Sequence, residues 1–203
     1  MENEDIVITG AFRTAIGTFN GSLSELSASK LGAEVIKKCI SHSNLSGNDI
    51  DMVYMGQVLS TGTGQNPARQ AAVKAEIPIE KTAFVIYQVC GSGLRAIAAG
   101  YQSILSDDSN IVIAGGQESM TNAPHAIHFR NNIKLEEKNL IDTMIKDGLW
   151  DAFNGYHMGV TAENVATKWK ISRRDQDDFA LSSQLKAEKA QKEKKFKNEI
   201  VPA

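Results

Sequence analysis

Apolar residues in the first 120 positions fall into short runs alternating with stretches of helical period. Residues 6–9 (Ile-Val-Ile-Thr) read as a first strand closed by Gly10, and turn residues fill the loop from Arg13 to Gly21. Leu31, Val35, Ile36, Cys39 and Ile40 recur at helical spacing behind Ser27 or Ser29 as N-cap, which places Cys39 on a core face. Residues 52–59 read as the second strand. The glycine loop that follows leads into a helix with Asn66 at N-cap and Pro67 at its first position. Residues 83–89, rich in β-branched and aromatic side chains, read as a buried third strand. Beyond them Leu94, Ile97, Ala98, Tyr101, Ile104 and Leu105 share one face of a helix. Residues 111–114 make the fourth strand.

After Met120 the pattern changes. Residues 121–139 are polar and without period, 142–150 look helical, 154–159 form a loop, and 161–169 a helix. Ser172 and Asp175 resemble a capping box that opens a long helix to about Lys195, whose alternating lysines and glutamates suit a solvated face. Residues 199–203 resemble the start of a strand. The alternation predicts an α/β fold, a layered sheet with right-handed crossovers, and reactive groups gathered at the carboxyl ends of its strands. The expected division is a core over residues 1–120 and a second domain over 121–203.

Composition narrows the function. The chain has 203 residues, 42% hydrophobic and 23% charged, with a net charge of −2. That balance excludes a general affinity for nucleic acid or an anionic membrane surface. Two cysteines, Cys39 and Cys90, are too few for a disulfide framework and suit a reducing cytoplasm. The acidic opening and the lack of a long apolar run predict neither a signal peptide nor a bilayer span.

The main chemical candidate is Cys90. It joins a strand to a helix, where unpaired N–H groups and the helix dipole favour a thiolate. Gly91 and Gly93 permit a sharp turn there. Two readings stand side by side: a nucleophile, or a small residue buried as a hydrophobe. His157, beside Met158 in a glycine-flanked loop, is either part of a narrow thioester tunnel or a loop histidine satisfied by backbone. His125 and His128 lack nearby ligand partners, so no metal site is expected. The loop from Ser60 to Pro67 lacks dinucleotide spacing and reads as a tightly packed turn. Asp175, Asp177 and Asp178 suit a helix start better than a metal.

Several stretches together resemble the thiolases, most of all the biosynthetic branch that carries acetyl-CoA C-acetyltransferase activity. They are Arg13-Thr-Ala-Ile-Gly17, Met55-Gly-Gln-Val-Leu59, Gly64-Gln-Asn-Pro-Ala-Arg-Gln70 and Val89-Cys-Gly-Ser-Gly-Leu94. Ala114-Gly-Gly-Gln-Glu-Ser-Met120, Ile141-Asp-Thr-Met-Ile-Lys-Asp-Gly-Leu149 and Gly155-Tyr-His-Met-Gly159 follow. The resemblance implies the N-terminal α/β/α half of a thiolase-like layered fold with a mixed sheet, followed by part of an inserted loop domain that covers coenzyme A. It makes Cys90 the nucleophile that carries an acetyl group, with its own N–H helping to hold the oxyanion. Leu149, His157 and Met158 would line the pantetheine channel. The substrates would be acetyl-CoA and acetoacetyl-CoA, with no cofactor besides these coenzyme A thioesters. Residues 121–142 would pair dimers into a homotetramer.

The resemblance stops short in one respect. Thiolases take their second acid/base and enolate donor from Gly-His-Pro, Cys-Gly-Gly and Asn-Glu-Ala-Phe motifs, and this sequence contains none of them. Cys39 is not placed to substitute. The expectation is a thiolase N-terminal half with an open sheet edge and an uncovered apolar face, inactive in condensation unless a separate chain supplies the rest. The rival readings are a non-enzymatic fragment that acts only as an interaction partner, and a ketosynthase-like enzyme.

Overall fold

The computed structural model describes residues 5–128 and 139–203. The acidic residues 1–4 and the middle of the polar stretch, including Arg130, Lys134 and Lys138, lie outside them. In chain order the elements are β1 (Arg13–Thr14), α1 (Ala28–His42), β2 (Met52–Gly56), α2 (Pro67–Lys74), β3 (Thr82–Ile86), α3 (Ser92–Leu105) and β4 (Val112–Gly116). They continue with β5 (His125–Ala126), β6 (Ile141–Asp142), a π-helical turn (Met144–Leu149), α4 (Met158–Trp169), α5 (Arg173–Lys192) and β7 (Ile200–Val201). Two compact units result, Met1–Gly148 with Val201–Ala203, and Leu149–Ile200.

The first unit is built on a parallel sheet in the order β3-β2-β4. The mixed sheet expected from the resemblance is not seen in it; antiparallel pairing occurs in the short β5–β6 ladder. Successive side chains of β2 point to opposite faces of the sheet. Val53 and Met55 join Ile36 and Ile40 of α1, Ala68, Ala71 and Ala72 of α2, and Ile50 and Ile77 in one buried cluster. Each large aliphatic side chain in it contributes about 1.5–3 kcal/mol through burial. On the opposite face Tyr54 stacks on Phe84 at 5.5 Å, and α3 packs against β2 and β4. The layers are α/β/α, as expected.

Capping explains the helix starts. Ser27 accepts from Lys30 N–H and opens α1. Asn66, in the left-handed region at φ 41°, accepts from Arg69 N–H and opens α2 with Pro67 behind it. Ser172 and Asp175 form the expected capping box of α5.

Several expectations are corrected. Residues 6–9 are not a strand: they join no sheet among the described residues, and Val7 and Ile8 are 70% and 77% exposed. The pairing segment is β1, which meets β7 where the chain returns to the first unit at Val201. β2 ends at Gly56 and not at residue 59, because the N–H groups of Val58 and Leu59 turn to the Glu118 carboxylate. α3 keeps its predicted period but lies on its other side. Ser92, Ala96, Gly100 and Ser103 face inward, and Leu94 and Leu105 are 75% and 65% exposed. α4 begins at Met158, three residues earlier than its spacing indicates, because His157 caps it. The first compact unit runs on through Gly148. Asn122 donates to the carbonyls of Ser24 and Leu26, and Thr143 to that of Pro124, which ties the described parts of 121–148 to the first unit.

Candidate active site

β3 stops at Ile86, three residues before the end of its apolar run, and a tight turn carries the chain to Cys90. Val89 sits at φ 46°. A β-branched residue is rarely found in the left-handed region, and holding one there costs on the order of 1–3 kcal/mol. The turn is closed by Gly91 N–H donating to the Gln88 carbonyl (3.0 Å) and Ser92 N–H to the Val89 carbonyl (3.1 Å). The buried Ser92 hydroxyl adds two more bonds. It accepts from Gln88 N–H at 2.8 Å and donates to the Val89 carbonyl at 2.6 Å. With the Gln88 N–H drawn to Ser92, the ladder has no donor with which to continue.

Gly91 is the N-cap of α3, so Cys90 stands immediately before the helix. Its thiol is exposed, which excludes the reading of Cys90 as a buried hydrophobe. Cys39 differs: it is half-buried, and burial pushes its thiol above the ordinary value of 9.0. That environment suits a packing role.

The parallel register brings Gly56, Ile86 and Gly116 to the same carboxyl edge of the sheet. Glycine at two of these positions lets α3 approach closely, since a Cβ on Gly116 would lie 3.3 Å from the Gly93 Cα. Beyond the edge a buried amide pair locks the strand ends together. Gln117 Nε2 donates to Gln57 Oε1 (2.9 Å) and to the Pro67 carbonyl (3.1 Å), and Gln57 Nε2 donates to the Leu59 carbonyl (3.0 Å). Gln117 Oε1 is buried against Gly32 of α1 and has no hydrogen-bond partner among the described residues. The glycine loop is largely exposed and not the tightly packed turn expected; hydrogen bonds hold it, with Gln70 Nε2 donating to the carbonyls of Thr63 and Gln65, while Arg69 reaches those of Ile79 and Lys81.

Leu149, His157 and Met158 belong to the second unit, and Cys90 to the first. Leu149 is half-buried at the end of the π-helical turn. His157 Nδ1 accepts from Gly159 N–H at 3.0 Å, so the backbone-satisfied reading of this histidine holds for that nitrogen. Met158 is exposed at the first position of α4. Among the described residues no group of histidine, cysteine and acidic side chains could hold a metal, and no helix is long and apolar enough to cross a membrane. The feature missed in the sequence is the Ser92 clamp. Its only signal was a serine two residues after the cysteine, between two glycines.

A family profile described as "Thiolase, N-terminal domain" matches residues 6–203. An acetyl-CoA acetyltransferase of Rhizobium meliloti (strain 1021) is 55% identical over 202 residues, covering 100% of this chain and 51% of the relative. One of Shinella zoogloeoides is 54% identical over the same shares of the two chains. A rat protein named cytosolic acetyl-CoA acetyltransferase is 48% identical, covering 98% of this chain and 50% of the relative. The chain thus spans about half the length of the curated relatives it matches.

Proposed function

Because the chain belongs to the thiolase N-terminal-domain family, we propose that it provides the acyl-accepting part of a cytoplasmic acetyl-CoA C-acetyltransferase. The Cys90 thiolate attacks the thioester carbonyl of acetyl-CoA, and the Cys90 N–H helps hold the oxyanion. The carbon–sulfur bond to coenzyme A breaks, the acetyl group stays on Cys90, and coenzyme A leaves with the proton that the thiol gave up. A second acetyl-CoA then loses a methyl proton, and its carbanion displaces Cys90 to give acetoacetyl-CoA. Thiolysis is the reverse. Leu149, His157 and Met158 line the pantetheine path, and no cofactor beyond the coenzyme A thioesters takes part.

One observation supports this reading above the others: the exposed Cys90 thiol stands on a strained turn at the carboxyl edge of a parallel sheet, next to a helix N-terminus. The base for the second step is outside this sequence. The chain alone is therefore proposed to stop at the acetyl-cysteine, with condensation needing the Gly-His-Pro, Cys-Gly-Gly and Asn-Glu-Ala-Phe residues from elsewhere. The complete assembly is proposed to be a homotetramer.

The test is mass spectrometry of the chain after incubation with acetyl-CoA. One acetyl group on Cys90, absent from Cys90→Ala, is the expected result. A folded chain that takes none would overturn the acyl-acceptor role for the isolated chain and favour a non-enzymatic interaction partner.

A further inference from the structure

The turn before Cys90 combines a strained residue with a buried hydroxyl that holds it. Val89 lies at φ 46°, where a β-branched side chain does not rest unaided. Ser92 spans the turn: its Oγ accepts from Gln88 N–H, on one side of Val89, and donates to the Val89 carbonyl. Ser92 is itself fixed from below. A Cβ on Gly56 would stand 2.5 Å from the Ser92 carbonyl carbon and 2.7 Å from the Ser92 Cβ, so the serine rests directly on β2. Rigidity thus passes from the central strand, through one side chain, to the peptide that precedes the thiol. The α3 N-cap offers no substitute, since Gly91 has no side chain to hold the turn.

We propose that Ser92 is a positioning residue for Cys90: its hydroxyl keeps Val89 in the left-handed turn and thereby aims the thiol at an incoming acyl group. Without the clamp, Val89 relaxes toward negative φ and carries Cys90 with it. This rests on the reading of Cys90 as acyl acceptor. The hydroxyl acts through the backbone and touches no reacting atom.

A two-by-two set of variants tests the proposal: the unaltered chain, Ser92→Ala, Val89→Asn and the double variant. Asparagine tolerates the left-handed region, so residue 89 then holds its turn without help. Ser92→Ala is expected to slow acetyl transfer from acetyl-CoA to Cys90 about 10- to 100-fold, the scale of a 1 Å misplacement. In the Val89→Asn background the same change is expected to slow it less than about threefold. An equal deficit in both backgrounds, which a simple packing role would produce, overturns the proposal, as does no deficit in Ser92→Ala. If Ser92→Ala does not fold, Ser92→Gly takes its place, removing the hydroxyl without adding volume or a second thiol, and the same ranking is expected. If the unaltered chain accepts no acetyl group, the acyl-acceptor reading fails by itself. The clamp is then scored by the pH–rate profile of Cys90 alkylation with iodoacetamide. That profile shifts in Ser92→Ala and returns in the double variant if the clamp holds, and does not return if it fails.

Discussion

Gly56 lies directly beneath Gly93: a Cβ added to Gly56 would stand 2.6 Å from the Gly93 nitrogen. The obstacle is backbone and not a flexible side-chain tip, so no rotamer change relieves it. Gly56→Ala is therefore expected to push the first turn of α3 off the sheet, destabilising the chain by about 1–3 kcal/mol. Chemical denaturation measures the loss. Alkylation of Cys90 should change in the same variant, because the turn that carries the thiol rests on this contact.

Asn66 performs three tasks at once. It holds a left-handed φ of 41°, its Oδ1 caps α2, and its Nδ2 donates to the Ala83 carbonyl at 2.9 Å. Glycine keeps the first and loses the other two; alanine loses all three. The expected order of thermal midpoints is Asn above Gly above Ala. The alanine variant should lose about 2–3 kcal/mol of stability, from the lost cap and the left-handed penalty together. An Asn66→Gly variant as unstable as Asn66→Ala would show that the backbone conformation contributes nothing.

Asp51 ties the start of β2 to the start of β4. Its Oδ2 accepts from Asn110 N–H (2.8 Å) and Ile111 N–H (3.1 Å), and Lys81 Nζ lies 3.8 Å from Oδ1. The Asn110 and Ile111 N–H groups, with a smaller contribution from Lys81, hold the carboxyl below its ordinary value of 3.8. A depressed folded-state pKa gives stability that is present above the unfolded value and lost as pH falls through the folded one. Asp51→Asn should therefore lower stability near pH 7 by on the order of 1 kcal/mol after allowing for solvent screening, read as a lower thermal midpoint. The gap should begin to narrow as pH falls to about 4 and close only below the depressed folded-state value. A gap that stays constant with pH would place the effect in packing and not in the charge.

What the sequence disclosed follows a physical division. Helix starts were legible where a cap is a property of one side chain, as at Asn66 and Ser172, and at α1 to within the choice of Ser27 or Ser29. His157 escaped because a histidine is not a typical cap, and α4 was placed too late in consequence. The run to Val89 gave no sign of its turn, since valine carries the composition of a strand and no left-handed preference. The position of Cys90 at a strand–helix junction was readable; the Ser92 bonds that shape the junction depend on a contact with Gly56 from a distant strand. Periodicity also showed which residues of α3 share a face, but not which face the sheet covers.

That last point has a direct test. Ser92, Ala96, Gly100 and Ser103 put small groups against the strands, and Gly100 lets Val112 come within 3.0 Å of where its Cβ would be. The larger residues Leu94, Ile97, Tyr101 and Leu105 then point outward, and Phe84 and Tyr87 are exposed as well. An apolar surface of this kind promotes association. Leu105→Lys is expected to change stability by no more than about 0.5 kcal/mol, the range for an exposed site. It should also lower dye binding to exposed apolar surface and slow aggregation of the isolated chain. Were Leu105 a core residue, as hydrophobic spacing alone allows, the same lysine would leave a charge buried and unfold the helix. Denaturation and light scattering on this variant therefore decide between the two faces of α3. Loss of folding would return the large apolar residues to the interior, and unchanged folding with slower aggregation would confirm that they form an exposed apolar surface.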